Sequence, residues 1–197
     1  MYNNLSALGH LISQAYSEDE AIKSDSYRIS NDEATLIAES GRYILNAYPS
    51  LPNSCAPMSA IWAAMIRDKT SIPTYLVAGC LDLNGKRIFG GDSTINNDGT
   101  LFDASNPCWD GHCWTVFGNV IGDISFFRTA LSTTAPDWLK DMVLKSFGGK
   151  KGALLGELVY LESMGLKYNP KYVATDLQIS SLIKGANQII ETQGGNK

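Results

Sequence analysis

The sequence predicts an α+β domain in which helices come first, an antiparallel sheet follows, and helices return at the end. Apolar residues recur with the helical period up to residue 69 and again after residue 130. Between these regions apolar and polar residues alternate with period two, around short turn signals. Strands joined by such tight turns pair antiparallel, so segregated helices and an antiparallel sheet are expected.

Length and composition favour one ordinary globular domain over residues 1–197. Apolar residues make up 44% of the chain and charged residues 18%. The net charge is −4 and lysines and arginines are not clustered, so nucleic-acid binding lacks its electrostatic signature. We find no signal peptide and no apolar run of about 18 residues, so we expect neither export nor membrane insertion.

The cysteines indicate the compartment in which the protein is expected. Cys55, Cys80, Cys108 and Cys113 occur without an export signal, which predicts free thiols in a reducing, cytoplasmic environment. Export by a signal-independent route would leave no trace in these features.

The N-terminal third predicts helices. Residues 4–16 have apolar side chains at helical spacing, whereas residues 17–31 are polar and predict a loop. A second helix is expected from Asn31, as N-cap, to no later than Tyr48, because Pro49 disfavours helical geometry in the residue before it. A third helix is expected over residues 55–69.

The middle of the chain predicts two hairpins. Residues 73–83 and 86–89 flank Asn84-Gly85, the strongest short hairpin signal. Residues 112–117 and 120–126 flank Gly118-Asn119 in the same way. The polar stretch 90–111 between the hairpins predicts a loop with one short strand at 100–103.

The C-terminal region, 130–195, predicts three helices. The first begins at Pro136-Asp137 and ends at Phe147, and the second covers residues 154–164. Thr175 and Gln178 have the spacing of a capping box and predict the start of the last helix.

Cys55 has the sequence context of a nucleophile. It follows a polar loop and precedes Pro57 and an apolar helix, which places it at the helix N-terminus. The positive end of the helix dipole favours thiolate over thiol, and the thiolate is the reactive form. Cys80 alternates into a strand and is expected in the core.

The second hairpin supplies a candidate base and a candidate acid. With Gly118-Asn119 as the turn, paired residue numbers sum to 237, so His112 and Asp123 become diagonal neighbours on one face of the sheet. An aspartate in that position would accept the imidazole N–H and fix its tautomer. His10, the other histidine, has no polar partner in its helical stretch and is not expected to take part.

These residues carry a resemblance to a known family. A cysteine at a helix start, then His112-Cys113-Trp114 on a strand and Asp123 on the next, resembles the transglutaminase-like branch of the papain-like cysteine protease superfamily. Arylamine acetyltransferases and bacterial thiol hydrolases and effectors share this order. The resemblance covers residues 53–126, the expected catalytic core, and implies a papain-like α+β fold with the sheet packed against the cysteine helix. Asp123 is followed by isoleucine where the family often has proline.

The resemblance implies a thiol hydrolase or acyl-transfer enzyme that needs no cofactor or metal. Cys55 would attack an amide or thioester carbonyl of a peptide, protein or small acyl substrate, with His112 as base and Asp123 orienting it. The Cys55 backbone N–H and a second donor would hold the oxyanion, with Asn53 as one candidate. Trp114 is expected either to wall the site or to lie in the core.

Several alternatives stay open at this point. Asp92, Asp103 and Asp110 lie in the 90–111 loop and are rival acids. Cys108, His112 and Cys113 are possible zinc ligands, although neighbouring residues of a strand point to opposite faces. The chain could also be a non-catalytic binding module on the same scaffold, or a delivered bacterial effector or toxin.

Overall fold

The computed structural model describes residues 6–48, 54–90 and 111–194, with side chains described as far as 187. Within these ranges the chain forms eight helices: α1 (Ala7–Ala15), α2 (Glu18–Ser26), α3 (Asn31–Ala47), α4 (Cys55–Arg67), α5 (Phe126–Ala130), α6 (Asp137–Phe147), α7 (Leu158–Ser163) and α8 (Asp176–Gly194). Six strands accompany them: β1 (Thr74–Leu83), β2 (Lys86–Phe89), β3 (His112–Phe117), β4 (Val120–Asp123), β5 (Leu154–Glu157) and β6 (Leu166–Val173). The fold class is therefore α+β, as the sequence predicts.

The strands form one antiparallel sheet centred on β1. The first half of β1 pairs with β3, and its last residues pair with β2 on the hairpin. β6 pairs with β1 from Val77 to Leu83, while β4 joins β3 and β5 joins β4. Since β2 and β3 both pair with β1, Phe89 at the end of β2 comes beside His112 at the start of β3.

Helix α4 packs directly against β3. The Thr115 hydroxyl donates to the Ser59 carbonyl over 3.2 Å, and the Ser59 hydroxyl donates to the Cys113 carbonyl over 3.3 Å. Further along the helix, Trp62 meets Phe117 edge to face, with ring centroids 5.0 Å apart. These contacts fix the helix relative to the strand and thereby fix where its first residue, Cys55, lies.

The opposite face of β3 points into the largest apolar core of the described residues. His112, Trp114 and Val116 alternate on this face, and all three are buried. Side chains from β1, α5 and α6 fill the space around them, including Val77, Phe126 and Phe147.

Several sequence predictions are confirmed. Helix α3 begins at Asn31, although the cap is Ser30, which forms a reciprocal capping box with Glu33. The Cys55 helix and the last helix form, and Thr175 and Gln178 make the expected capping bonds.

The hairpins also follow the sequence prediction. Asn84 and Gly85 both have positive φ, which suits their tight turn. In the second hairpin, Thr115 pairs with Gly122 and Phe117 with Val120, so residue numbers sum to 237 as predicted.

Two predictions are wrong, one near the N-terminus and one in the middle of the chain. Residues 18–26 form a helix rather than a loop, because Ser17 caps its N-terminus, three acidic residues follow in the first turn, and Ala21 is buried. The strand predicted to reach residue 126 ends at Asp123, whose carboxylate accepts the Ser125 and Phe126 N–H groups and starts α5 instead.

The C-terminal region is not purely helical. Residues 154–157 form strand β5, because they pair with β4, and only residues 158–163 are helical. Strand β6 was not predicted at all. It contains Pro170, which lacks an N–H donor and is therefore typical of an edge strand or a bulge. The short strand predicted at 100–103 lies outside the described residues.

The described residues contain no helix that is both long and apolar enough to cross a membrane.

Gly79 allows β6 to approach β1. A Cβ atom at this position would lie 2.2 Å from the Asn169 carbonyl oxygen and 2.9 Å from the Trp114 ring. We expect Gly79→Ala to lower the free energy of unfolding by about 1–3 kcal/mol, because the β1–β6 pair or Trp114 must shift. Urea unfolding followed by circular dichroism measures this change.

Gly149→Ala is the matched control. A Cβ atom there meets nothing within 4 Å, so its effect should stay within about 0.5 kcal/mol. Equal stability of the two variants would contradict the close approach at Gly79.

Candidate active site

Cys55 is the first residue of α4 and is half-buried. Backbone N–H groups in the first turn of a helix have no intrahelical acceptor. In α1, α2 and α3 a serine side chain caps these donors, whereas the side chain of Ser54 makes no such bond to α4. The N-terminal turn of α4 therefore places the positive end of the helix dipole and backbone donors beside the Cys55 sulfur.

His112 is the first residue of β3 and is only 2% exposed. Its ring stacks on Phe89, with centroids 4.6 Å apart and planes inclined by 27°. Trp114 lies on the same strand face, with its ring centroid 6.2 Å from that of His112. The aromatic neighbours restrict the imidazole to one orientation.

Asp123 is the last residue of β4 and is fully buried. Its Oδ1 accepts the Phe126 N–H over 2.9 Å and the Ser125 N–H over 3.2 Å, and the Ser125 hydroxyl lies 3.4 Å away. Its Oδ2 accepts the Tyr168 hydroxyl over 3.0 Å. These bonds supply the partners that a buried carboxylate needs.

The carboxylate also binds the imidazole. His112 Nε2–H donates to Asp123 Oδ2 over 2.6 Å, which is short even for a charge-assisted hydrogen bond. Since Nε2 is bound to Asp123, Nδ1 is the nitrogen left for Cys55, whose side chain lies within hydrogen-bonding reach of the ring. The three predicted catalytic side chains therefore form a continuous chain of contacts.

The surroundings of Cys55 favour its thiolate. The Cys113 thiol donates to the Cys55 sulfur and lowers the pKa of Cys55 most strongly, while burial opposes this. His112, through its hydrogen bond and its positive charge, lowers the pKa further, and so does the Cys113 backbone. The net result is a Cys55 pKa well below that of an ordinary thiol.

The pKa of His112 is shifted in the opposite direction. Burial lowers its pKa, but the charge and hydrogen bond of Asp123, together with Cys55, outweigh burial and raise the pKa to about 10. Burial and the neighbouring Cys55 raise the pKa of Cys113, which remains a thiol. The two shifts favour the same ion pair, a Cys55 thiolate beside a His112 imidazolium.

The other residues named from the sequence lie in the core, on the surface or outside the described residues. Trp114 is 1% exposed and packs within the core beside His112, and Cys80 is also buried. His10 is exposed and lies on α1. Asn53 and the residues of the 90–111 loop named as rival acids or as a zinc ligand lie outside the described residues: Asp92, Asp103, Cys108 and Asp110.

Three neighbours of the site were missed in the sequence. The sequence predicts Phe89 only as a strand residue, and its contact with His112 exists because β2 and β3 both pair with β1. The sequence predicts Cys113 as a strand residue and a possible zinc ligand, not as a hydrogen-bond donor to Cys55. Tyr168 lies on β6, and without that strand nothing in the sequence connected it to Asp123.

Across residues 6–48, 54–90 and 111–194, no group of three or more histidine, cysteine, aspartate or glutamate side chains is arranged to hold a metal ion. Comparison with known proteins found no matching family model, no matching curated protein and no matching solved structure.

Replacing the Asp123 charge tests the electrostatics of the site. We expect Asp123→Asn to lower the pKa of His112 by about one to three pH units, because an amide cannot supply the negative charge that stabilises the imidazolium. The ring C–H resonances of His112 followed by NMR against pH measure this midpoint. His10→Ala assigns the signals, because the chain has only two histidines.

The control for this experiment is Asp82→Asn, which removes a carboxylate that pairs with Arg87 on the surface. That variant should leave the His112 midpoint unchanged. An unchanged midpoint in Asp123→Asn would contradict the pairing described here.

Proposed function

We propose that this protein is a cysteine-dependent hydrolase or acyl-transfer enzyme acting on an amide or thioester carbonyl. The observation that carries the proposal is the contact chain from Cys55 through His112 to the fully buried Asp123, with Nε2 and Oδ2 only 2.6 Å apart. A nucleophile, a base and an orienting acid in hydrogen-bonding order are the requirements of nucleophilic acyl transfer. The transglutaminase-like, papain-like resemblance of residues 53–126 supports the same chemistry.

The chemistry proceeds in two steps. The Cys55 thiolate attacks the carbonyl carbon, and as the tetrahedral intermediate collapses, the His112 imidazolium gives its proton to the leaving amine or thiolate. A thioester on Cys55 remains. His112, now neutral, takes a proton from water or an acceptor amine, which attacks the thioester and returns the Cys55 thiolate. Asp123 holds the ring throughout and stabilises its charged form.

The start of α4 is suited to the developing oxyanion. The Cys55 N–H belongs to the helix's first turn, where the helix provides no acceptor and Ser54 provides no side-chain cap. Pro57 has no N–H to compete. We therefore assign the Cys55 N–H as one oxyanion donor.

Peptide, protein and small acyl substrates all fit this first step, because peptidases, deamidases and acyltransferases differ in what leaves and what attacks the thioester. The competing proposal is a binding module that retains the scaffold without a reactive thiol.

Selective alkylation distinguishes these proposals. With iodoacetamide at pH 6, we expect Cys55 to be modified at least about tenfold faster than Cys80, Cys108 or Cys113, because its pKa is lowered well below that of an ordinary thiol. His112→Ala should sharply reduce this preference, because it removes the hydrogen bond and the positive charge of the imidazolium. Peptide mapping by mass spectrometry after short exposures gives the site-specific rates.

His10→Ala is the matched control, since it removes the exposed histidine and should leave Cys55 reactive. His112→Asn serves as a second, smaller change if the alanine variant fails to fold. A Cys55 that reacts no faster than the other cysteines in a folded wild-type protein would favour the binding module and contradict the enzyme.

Acyl-enzyme formation tests the covalent step. p-Nitrophenyl acetate should acetylate Cys55 with a burst of p-nitrophenolate, because ester attack releases the phenolate before the thioester is hydrolysed. Cys55→Ser should slow this burst by at least about a hundredfold. Stopped-flow absorbance measures the burst, and mapping should find the acetyl group on Cys55; acetylation elsewhere would contradict the assignment.

A further inference from the structure

Among the described residues, Tyr168 is the one hydrogen-bond partner of the Asp123 carboxylate that comes from outside the second hairpin and the start of α5. It lies on β6, where it pairs with Leu81 of β1, and it is 6% exposed. Its hydroxyl donates to Asp123 Oδ2 over 3.0 Å. The same oxygen accepts His112 Nε2–H, so two donors share one carboxylate oxygen.

The position of the Tyr168 hydroxyl is fixed by packing. The Tyr168 ring meets Trp114 edge to face, with centroids 5.0 Å apart. β6 approaches β1 where Gly79 leaves space for the Asn169 carbonyl. Burial and the Asp123 charge raise the pKa of Tyr168 well above its ordinary value, so the phenol keeps its proton and acts as a donor.

The Asp123 carboxylate has hydrogen-bond donors other than Tyr168 that hold it in place. Its other oxygen, Oδ1, is held by the backbone N–H groups of Ser125 and Phe126. The Tyr168 hydroxyl therefore acts on the charge at Oδ2 rather than on the location of the carboxylate. A second donor at that oxygen draws negative charge away from the bond to His112.

We propose that Tyr168 is a positioning residue that acts through Asp123: by sharing Oδ2 with His112 Nε2, it limits how tightly the carboxylate holds the imidazolium. This inference rests on the proposed function. In that reaction His112 must give its proton to the leaving group, and an imidazolium held too strongly is a poor acid. Tyr168 thus adjusts the acid strength of His112 without touching the substrate.

Tyr168→Phe removes the hydroxyl and keeps the ring against Trp114. We expect the NMR titration midpoint of the His112 ring to rise by about 0.5 to 1 pH unit, because Oδ2 then interacts with the imidazolium alone. A structural role alone would change the unfolding temperature but not raise this midpoint. Cys55 alkylation at pH 6 should persist, since the imidazolium remains.

Tyr75→Phe is the matched control. Tyr75 is also buried on the sheet and also donates to a carboxylate, Glu20 Oε2, over 2.5 Å. It lies on β1, and its removal should leave the His112 midpoint within about 0.2 pH unit of the wild type.

The outcomes separate this inference from the proposed function. A titration midpoint of His112 that rises in Tyr168→Phe but not in Tyr75→Phe supports the role of Tyr168. An unchanged or lowered midpoint, with Cys55 still selectively alkylated in the wild type, overturns the role of Tyr168 and leaves the enzyme proposal standing. A wild-type Cys55 without selective reactivity overturns both.

Discussion

The hydrogen bond between His112 Nε2 and Asp123 Oδ2 is the interaction on which the rest of the site depends. It forms because the Gly118-Asn119 turn fixes the register of β3 and β4, which places both side chains on one face. A slip of one residue would turn either side chain to the opposite face. The turn therefore determines the chemistry of residues that lie several positions away from it.

The same bond explains the charge distribution around Cys55. Asp123 is fully buried, and its charge raises the pKa of His112 even though burial alone would lower it. The resulting imidazolium, the Cys113 thiol and the N-terminus of α4 all favour a negative charge on the Cys55 sulfur. The Cys113 thiol has the largest of these effects, and the agreement of all of them in sign favours the thiolate in a half-buried location.

Local sequence signals predicted the elements that local interactions determine. The helix start at Cys55, the Asn84-Gly85 turn and the pairing of β3 with β4 each depend on a few neighbouring residues. Strands β5 and β6 depend instead on pairing with distant partners, and Pro170 obscures the alternating pattern of β6. Tyr168 was missed for that reason, because its contact with Asp123 spans 45 residues and exists only once β6 has paired with β1.

The neighbours of Cys55 favour a thiolate paired with the His112 imidazolium. The rate constant for Cys55 alkylation by iodoacetamide, measured from pH 5 to 10, tests it most directly. We expect the rate to rise at a pH well below the ordinary thiol value of about 8.5 and to be already substantial at pH 6. A single rise centred near pH 8.5, unaffected by replacing His112, would contradict it.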